Sequence, residues 1–521
     1  MEKANYLKPA KTSETTVVVE KERESNSLNL KKCCKRLILL CLLISAGNSI
    51  FANSVAVSNV ALTGQNTALD FVLVNFDISW DNSWRTSVGP SNWDAAWVFV
   101  KYRLKTQTTW NHATLNWVDG TGSGDGHTEP TNSNIASSND NGTGGAYGVF
   151  IHRSADMVQG SVNYTTTQLR WNYGVNGLAD YDSVEVCVFA IEMVYVPQAS
   201  FYVGSGGTES GAFYLYPTTT NAYQITSEGA ITVGTTASNL YYPNTSSYSG
   251  DQTGPIPAAF PKGYNAFYCM KYEITQEQYV AFLNRLDNTQ ATARAYTAGA
   301  NRNGISGTPG SYSTTNPYVA CNFLSWADLA AYLDWAALRP MSELEYEKAA
   351  RGTLAPVANE YAWGSTSISQ ATGISNGGLT NETASNAGAN CAYGNHASVQ
   401  GPMRVGNFGQ GVNTRVGVGA SYYGIMELSG NNWERTVTVG NATGRAFTGI
   451  HGNGAINSSG NADASNWPNT SATGAGVRGG SWDNIVTFLR VSDRNTTALT
   501  ASYRLFSFGG RGVRRCLTQG Y

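Results

Sequence analysis

From residue 53 to about residue 192, apolar positions recur at every second residue or in short unbroken runs. "QLRWNY" (168–173) alternates strictly. Leu169, Trp171 and Tyr173 fall on one side and Gln168, Arg170 and Asn172 on the other, the period of a half-buried strand. "DFVLVNFDISW" and "WVFVKYRL" behave similarly, with both faces apolar over part of their length. "YGVFIHRS" and "SVEVCVFAIEMVYV" add two more runs. Turn-rich tracts such as "DGTGSGDGHTEPTNSNIASSNDNGTGG" separate them. Several strands, no helical period and long loops predict a β-sandwich of immunoglobulin-like type.

Beyond "MVYVPQASFYVGSGG" the period changes. A loop-rich insert, roughly 204–263, leads into "YCMKYEITQEQYVAFLNRLDN". There Thr275 and Gln278 have capping-box spacing, and Tyr279, Phe282, Leu283 and Leu286 form one helical face. "FLSWADLAAYLDWAAL" repeats the logic, with Ser325 and Asp328 at its start. "RPMSELEYEKAARG" gives a third helix, boxed by Ser342 and Glu345 and stopped at Gly352. Glycine- and asparagine-rich segments follow. The chain divides into a polar extension and signal segment (1–52), a β-sandwich (53–190) and an α+β domain (191–521).

Composition fits a β-rich, loop-rich protein. Of 521 residues 13% are charged, 11% are aromatic and 56 are glycine. The formal net charge is -2, with no basic stripe beyond the N-terminus, which argues against nucleic-acid binding. "KKCCKRLILLCLLISAGNSIFA" joins a basic cluster to an apolar run and small residues, the plan of a secretory signal cleaved after Ala52. The run is too short to span a bilayer comfortably, so no membrane span is expected in the mature chain. The alternative is an uncleaved anchor. Five cysteines remain beyond it: Cys187, Cys269, Cys321, Cys391 and Cys516. Scattered and odd in number, they imply no disulfide framework and read as small buried hydrophobes.

"MVYVPQASFYVGS", "YCMKYEITQEQYVAFLNRL", "NFLSWADLAAYLDW", "RPMSELEYEKAARG", "YAWGS", "YYGIMELSGNNWERT", "VRGGSW" and "GGRGVR" occur in the order seen in sulfatase-modifying factors. The region from about Ile191 to Cys516 therefore resembles the formylglycine-generating enzyme family. The resemblance implies a loop-rich α+β fold similar to C-type lectins. It also implies an oxidation of substrate cysteine by O₂ on a copper ion held by two thiolates. In those enzymes the first thiolate follows the "RGGS" serine, here Ser481, by three residues. That position is Asn484, and the second falls near Leu489. No cysteine lies between Cys391 and Cys516, so no copper is expected. The histidines His112, His127, His152, His396 and His451 are isolated and read as loop residues bonded to water. An iron site would need His396, His451 and a distant acid.

The resemblance also implies a calcium loop in "ELSGNNWE", with Glu427, the Gly430 and Asn432 carbonyls, and Glu434 as ligands. Asn386 is a candidate for a second such site. Trp433 and Trp482 read as core. The long loops around "RGGS" place Asn466, Trp467, Ser481, Asn484 and Phe488 at the edge of a ligand surface, with Arg490 and Arg494 bracing it or pairing with Asp483 and Asp493. The expectation is a secreted or cell-surface bacterial pseudoenzyme that binds a protein or glycan at the cell surface. The alternative is a formylglycine-generating oxidase or a related metal-dependent oxidase.

Overall fold

The structure is a computed structural model that describes residues 55–515, except 141, 143 and 410–413, together with the backbone of Thr15–Thr16. The signal segment of residues 31–52, with its cleavage position, and Cys516 lie outside the described residues. The chain is mostly sheet with few helices. Its first part folds into strands β1 (Ala56–Asn66), β2 (Phe71–Arg85), β3 (Asp94–Leu104), β4 (Leu115–Asn116), β5 (Ser133–Ser137), β6 (Gly145–Ala146), β7 (Val149–Arg153), β8 (Met157–Trp171) and β9 (Val184–Val196). The later part adds β10 (Phe267–Met270), β11 (Arg339–Ser342), β12 (Glu434–Val437), β13 (Ala475–Arg478) and β14 (Gly512–Arg514).

A five-stranded sheet has the order β1-β2-β8-β4-β6. The larger, eleven-stranded sheet runs β13-β12-β11-β14-β10-β9-β3-β7-β5 along its main path, and so joins both parts of the chain. β9 is the hinge of this topology. It pairs with β3 from Val184 opposite Leu104 to Val194 opposite Asp94, and with β10 from Met193 opposite Met270 to Val196 opposite Phe267. One strand thus crosses from the first region into the second.

This arrangement explains the patterns. In β8, Leu169 and Trp171, followed by Tyr173, point into the core between the two sheets, as their alternation predicts. β3 is covered on both sides. Ala96, Val98, Val100 and Tyr102 enter that same core, whereas Ala95, Trp97 and Phe99 enter a second core with the helices. An unbroken apolar run is what a strand covered on both faces requires.

The longer helices are α1 (Gln276–Leu283), α2 (Asn288–Arg294), α3 (Trp326–Trp335) and α4 (Glu343–Arg351). Thr275 with Gln278, Ser325 with Asp328, and Ser342 with Glu345 all form the expected capping boxes. α2 was not expected; its box is Asp287 with Gln290. The residues of α3 are all buried, because its remaining sides meet the sheet and the loops around Trp467. Among the described residues no helix is long and apolar enough to cross a membrane.

Candidate functional site

The "RGGS" segment leaves β13 through two glycines at φ +84° and +65°. A Cβ on Gly479 would lie 2.7 Å from the Leu428 carbonyl oxygen, and one on Gly480 would lie 2.6 Å from the Leu489 side chain. Only glycine fits this turn. It delivers Ser481 into the interior, where its Oγ donates to Asn484 Oδ1 at 2.6 Å. The main chain is fixed as well. Trp482 N donates to Asn431 O at 2.7 Å, and Gly394 N donates to Asn484 O at 2.8 Å. A short 3₁₀ turn, Val486–Leu489, follows. Leu489 is fully buried against Tyr361, Trp363 and Cys391.

Beneath the segment lies a buried lattice of ion pairs. Glu343 at the start of α4 accepts from Arg478 Nη1 at 3.0 Å and from Arg494 Nε at 2.8 Å. Thr438 Oγ1, Val439 N and Thr497 Oγ1 complete its shell. Burial alone would raise the Glu343 pKa, but Arg494 and Arg478 prevail and hold it down to about 2. Glu347 accepts from Arg478 Nη2 at 2.7 Å and from Arg351 Nη1 at 3.1 Å, and Arg351 also pairs with Glu360. The expected partners of Arg494 are therefore corrected. It pairs with Glu343, not with Asp483 or Asp493, and stacks on Phe213 and Tyr242. Asp493 is buried, which pushes its pKa up to about 6, and its carboxylate caps Asn495 N at 3.2 Å. Sequence reasoning missed Glu343, because an acid at the start of a helix looks like an ordinary dipole partner.

The "ELSGNNWE" loop is tightly wound, with Glu427, Gly430 and Asn431 at positive φ. Glu427 Oε1 accepts from Gly406 N at 2.7 Å, and Glu434 Oε1 faces Arg511 Nε at 2.5 Å. Among the described residues, Glu427 Oε2, Glu434 Oε2 and Asn432 Oδ1 are buried without a hydrogen-bond partner. A third acid, Glu273, accepts from Asn432 N at 2.8 Å and Asn431 Nδ2 at 2.5 Å. Burial, then the neighbouring Glu434, raises the Glu273 pKa well above the carboxylate range, and burial pushes Glu427 up to about 7. Nothing in the spacing of the sequence signals Glu273 or Arg511. Asn386 spends its side chain on Thr372 N and Gln370 O.

The five surface residues do not share one environment. Asn466 is exposed, Asn484 and Phe488 are half-buried, and Ser481 and Trp467 are buried. Trp467 belongs to the helical core and donates from Nε1 to Ile450 O at 2.9 Å, whereas Phe488 packs edge-on against Trp433 at 5.9 Å. Trp433 and Trp482 are core, as expected. His127 and His152 are buried and His112 and His451 half-buried, not the solvent-bonded loop histidines expected, and burial lowers each pKa, to about 4 for His127 and His152. Cys187, Cys269, Cys321 and Cys391 are buried.

A family model described as the sulfatase-modifying factor enzyme 1-like domain matches residues 192–514. No curated protein matches the chain. Among solved structures the chain is similar to Treponema denticola variable protein 1, with 14% identity, 63% of this chain and 96% of that chain covered, and a TM-score of 0.31.

Proposed function

Given that the chain belongs to the sulfatase-modifying factor enzyme 1-like family, we propose that it is a secreted or cell-surface bacterial protein whose family domain binds a protein or glycan and performs no oxidation. The observation that carries this reading is the filling of the thiolate positions. Asn484 there accepts a hydrogen bond from Ser481, and Leu489 is sealed in an apolar cluster. Cys391 shares that cluster, but burial raises its thiol well above the ordinary value, which disfavours the thiolate that soft Cu(I) requires.

The N-terminal signal pattern supports export. The two sheets packed over one core in the first region suit an immunoglobulin-like sandwich. For calcium, the unpartnered oxygens of Glu427, Asn432 and Glu434 are the hard donors that the ion prefers. With the Gly430 and Asn432 carbonyls, they are the groups that would hold it.

The test is incubation of the purified full chain with a Cys-x-Pro-x-Arg peptide, copper and oxygen. The peptide mass should stay unchanged. A mass loss corresponding to aldehyde formation would overturn the reading.

A further inference from the structure

Where α2 ends and α3 begins, the two long loops flanking β13 close over them and leave an open groove of about 530 Å³, within the range of small-ligand sites. Its walls include Arg294, Asp328, Asn461, Thr470, Tyr503 and Arg504. It is distinct from the Ser481 turn and contains none of the five surface residues expected from the sequence.

The groove is lined by two guanidinium groups and one carboxylate, and Arg504 also donates from Nη1 and Nη2 to Ala295 O and Ala293 O at 2.9 and 2.8 Å. Asp328 is buried, and its two oxygens take five hydrogen bonds. Arg504 Nε and Nη2 approach at 2.7 and 2.9 Å, Arg294 Nη1 at 3.1 Å, and Ser325 N and Oγ at 2.9 and 2.7 Å. A carboxylate saturated in this way has no capacity left for a ligand. Two guanidinium groups against this one carboxylate leave the wall positive. Arg435 behind it adds a further charge, with its hydrogen bonds going to the main-chain oxygens of Leu324, Ala501 and Tyr503. Among the described residues Arg294 Nε and Asn461 Oδ1 are buried without a hydrogen-bond partner. On the rim Tyr503 is 53% exposed.

An anionic group, hydroxyl or amide partners and an open aromatic face are together what a sugar acid uses. The guanidinium fork matches a carboxylate, Asn461 and Thr470 can bond ring hydroxyls, and the apolar face of a pyranose packs on an aromatic ring. An acidic peptide fits less well. None of the lining residues lies in a strand, so an extended chain would find no ladder edge to pair with.

We propose that this groove binds an acidic saccharide, with its carboxylate on Arg294 and a ring face on Tyr503. This deepens the binding-module reading and rests on it.

The test is calorimetric titration of the full chain with trisaccharides ending in glucuronate or N-acetylneuraminate. Neutral counterparts and an oligoglutamate peptide serve as the other arms. Acidic sugars should bind at least tenfold more tightly than neutral ones, and Arg294→Gln should weaken them at least tenfold. Tyr503→Ala, at an exposed position, should weaken both acidic probes about tenfold with the melting curve unchanged. The proposal is overturned if no acidic sugar binds, if neutral sugars bind equally, if oligoglutamate is preferred, or if both variants keep parental affinity. Such a result with the copper assay still negative removes the groove alone, whereas aldehyde formation removes the module reading itself.

Discussion

Ser481 Oγ donates to Asn484 Oδ1 at 2.6 Å, so the residue that follows the family serine by three positions is its hydrogen-bond partner. Ser481 is buried and Asn484 half-buried. Asn484→Ala should therefore cost about 1 kcal/mol, the usual net value of such a bond. Ser481→Ala should cost a similar amount, and the double variant clearly less than the sum. Urea denaturation of the four proteins measures the coupling. Strict additivity would mean that the bond contributes nothing.

A second prediction concerns acid. The Glu343 carboxyl, ordinarily near 4.5, is held at about 2 because Arg494 and Arg478 outweigh the cost of burial. With a depressed pKa, the folded state binds fewer protons than the unfolded chain between these values. The stabilisation is complete above about pH 4.5 and is lost as pH falls through about 2. The shift corresponds to about 3 kcal/mol at neutral pH. Glu343→Gln should lower neutral-pH stability by roughly that amount and flatten the acid limb of the stability curve. An unchanged acid limb would assign it to other carboxylates.

The helices show what was legible in the sequence. Thr275, Ser325 and Ser342 announce their helices because a capping box is local chemistry, written within four residues. α2 escaped because only Ala291 of its seven residues is buried, so no apolar stripe marks it. The shared sheet escaped for a different reason. β3 and β9 read as strands, but which strands lie beside them is decided by partners far away in the chain, such as Tyr268 opposite Tyr195. At the site, the Gly479–Gly480 turn and the missing thiolates could be read directly. The groove could not, because Arg294, Asp328 and Arg504 are brought together from separate elements by folding alone.

The "ELSGNNWE" loop makes two separable predictions through Glu434. Its Oε1 pairs with Arg511 in a buried setting, so Glu434→Gln should destabilise the protein even in chelator, by about 3 kcal/mol. Its unpartnered Oε2, with Glu427 and Asn432, should also make the melting temperature rise with added Ca²⁺, and the variant should lose that rise. Burial pushes Glu427 up to about 7, so its contribution is present below about pH 4.5 and lost as pH rises through about 7. A cation favours the ionised carboxylate, and the calcium effect should therefore grow between pH 5 and 8. Melting curves that coincide in calcium and chelator at pH 8 would remove the site while leaving the Arg511 prediction standing.

The last prediction concerns the shared sheet. β9 carries both regions, and buried side chains pack across the seam beside it. Trp97 Nε1 donates to Ala336 O at 2.9 Å, Lys101 Nζ donates to Trp335 O at 2.7 Å, and Phe99 meets the Trp335 ring edge-on at 5.4 Å. Arg514 of the last strand stacks on Trp97 at 4.3 Å and pairs with Asp140. Asn92 Nδ2 reaches across to Tyr423 O at 2.8 Å. Cutting the chain near residue 191 would divide β9 and uncover this face, so the two regions should unfold together. The full chain should show one calorimetric transition whose calorimetric and van't Hoff enthalpies agree. Trp97→Ala removes a buried ring from the seam and should cost about 3–5 kcal/mol. That cost should move the whole transition, since neither region keeps its core when the other opens. Two resolved transitions, with Trp97→Ala shifting only one of them, would show that the regions fold independently and that the continuous sheet couples them only in geometry.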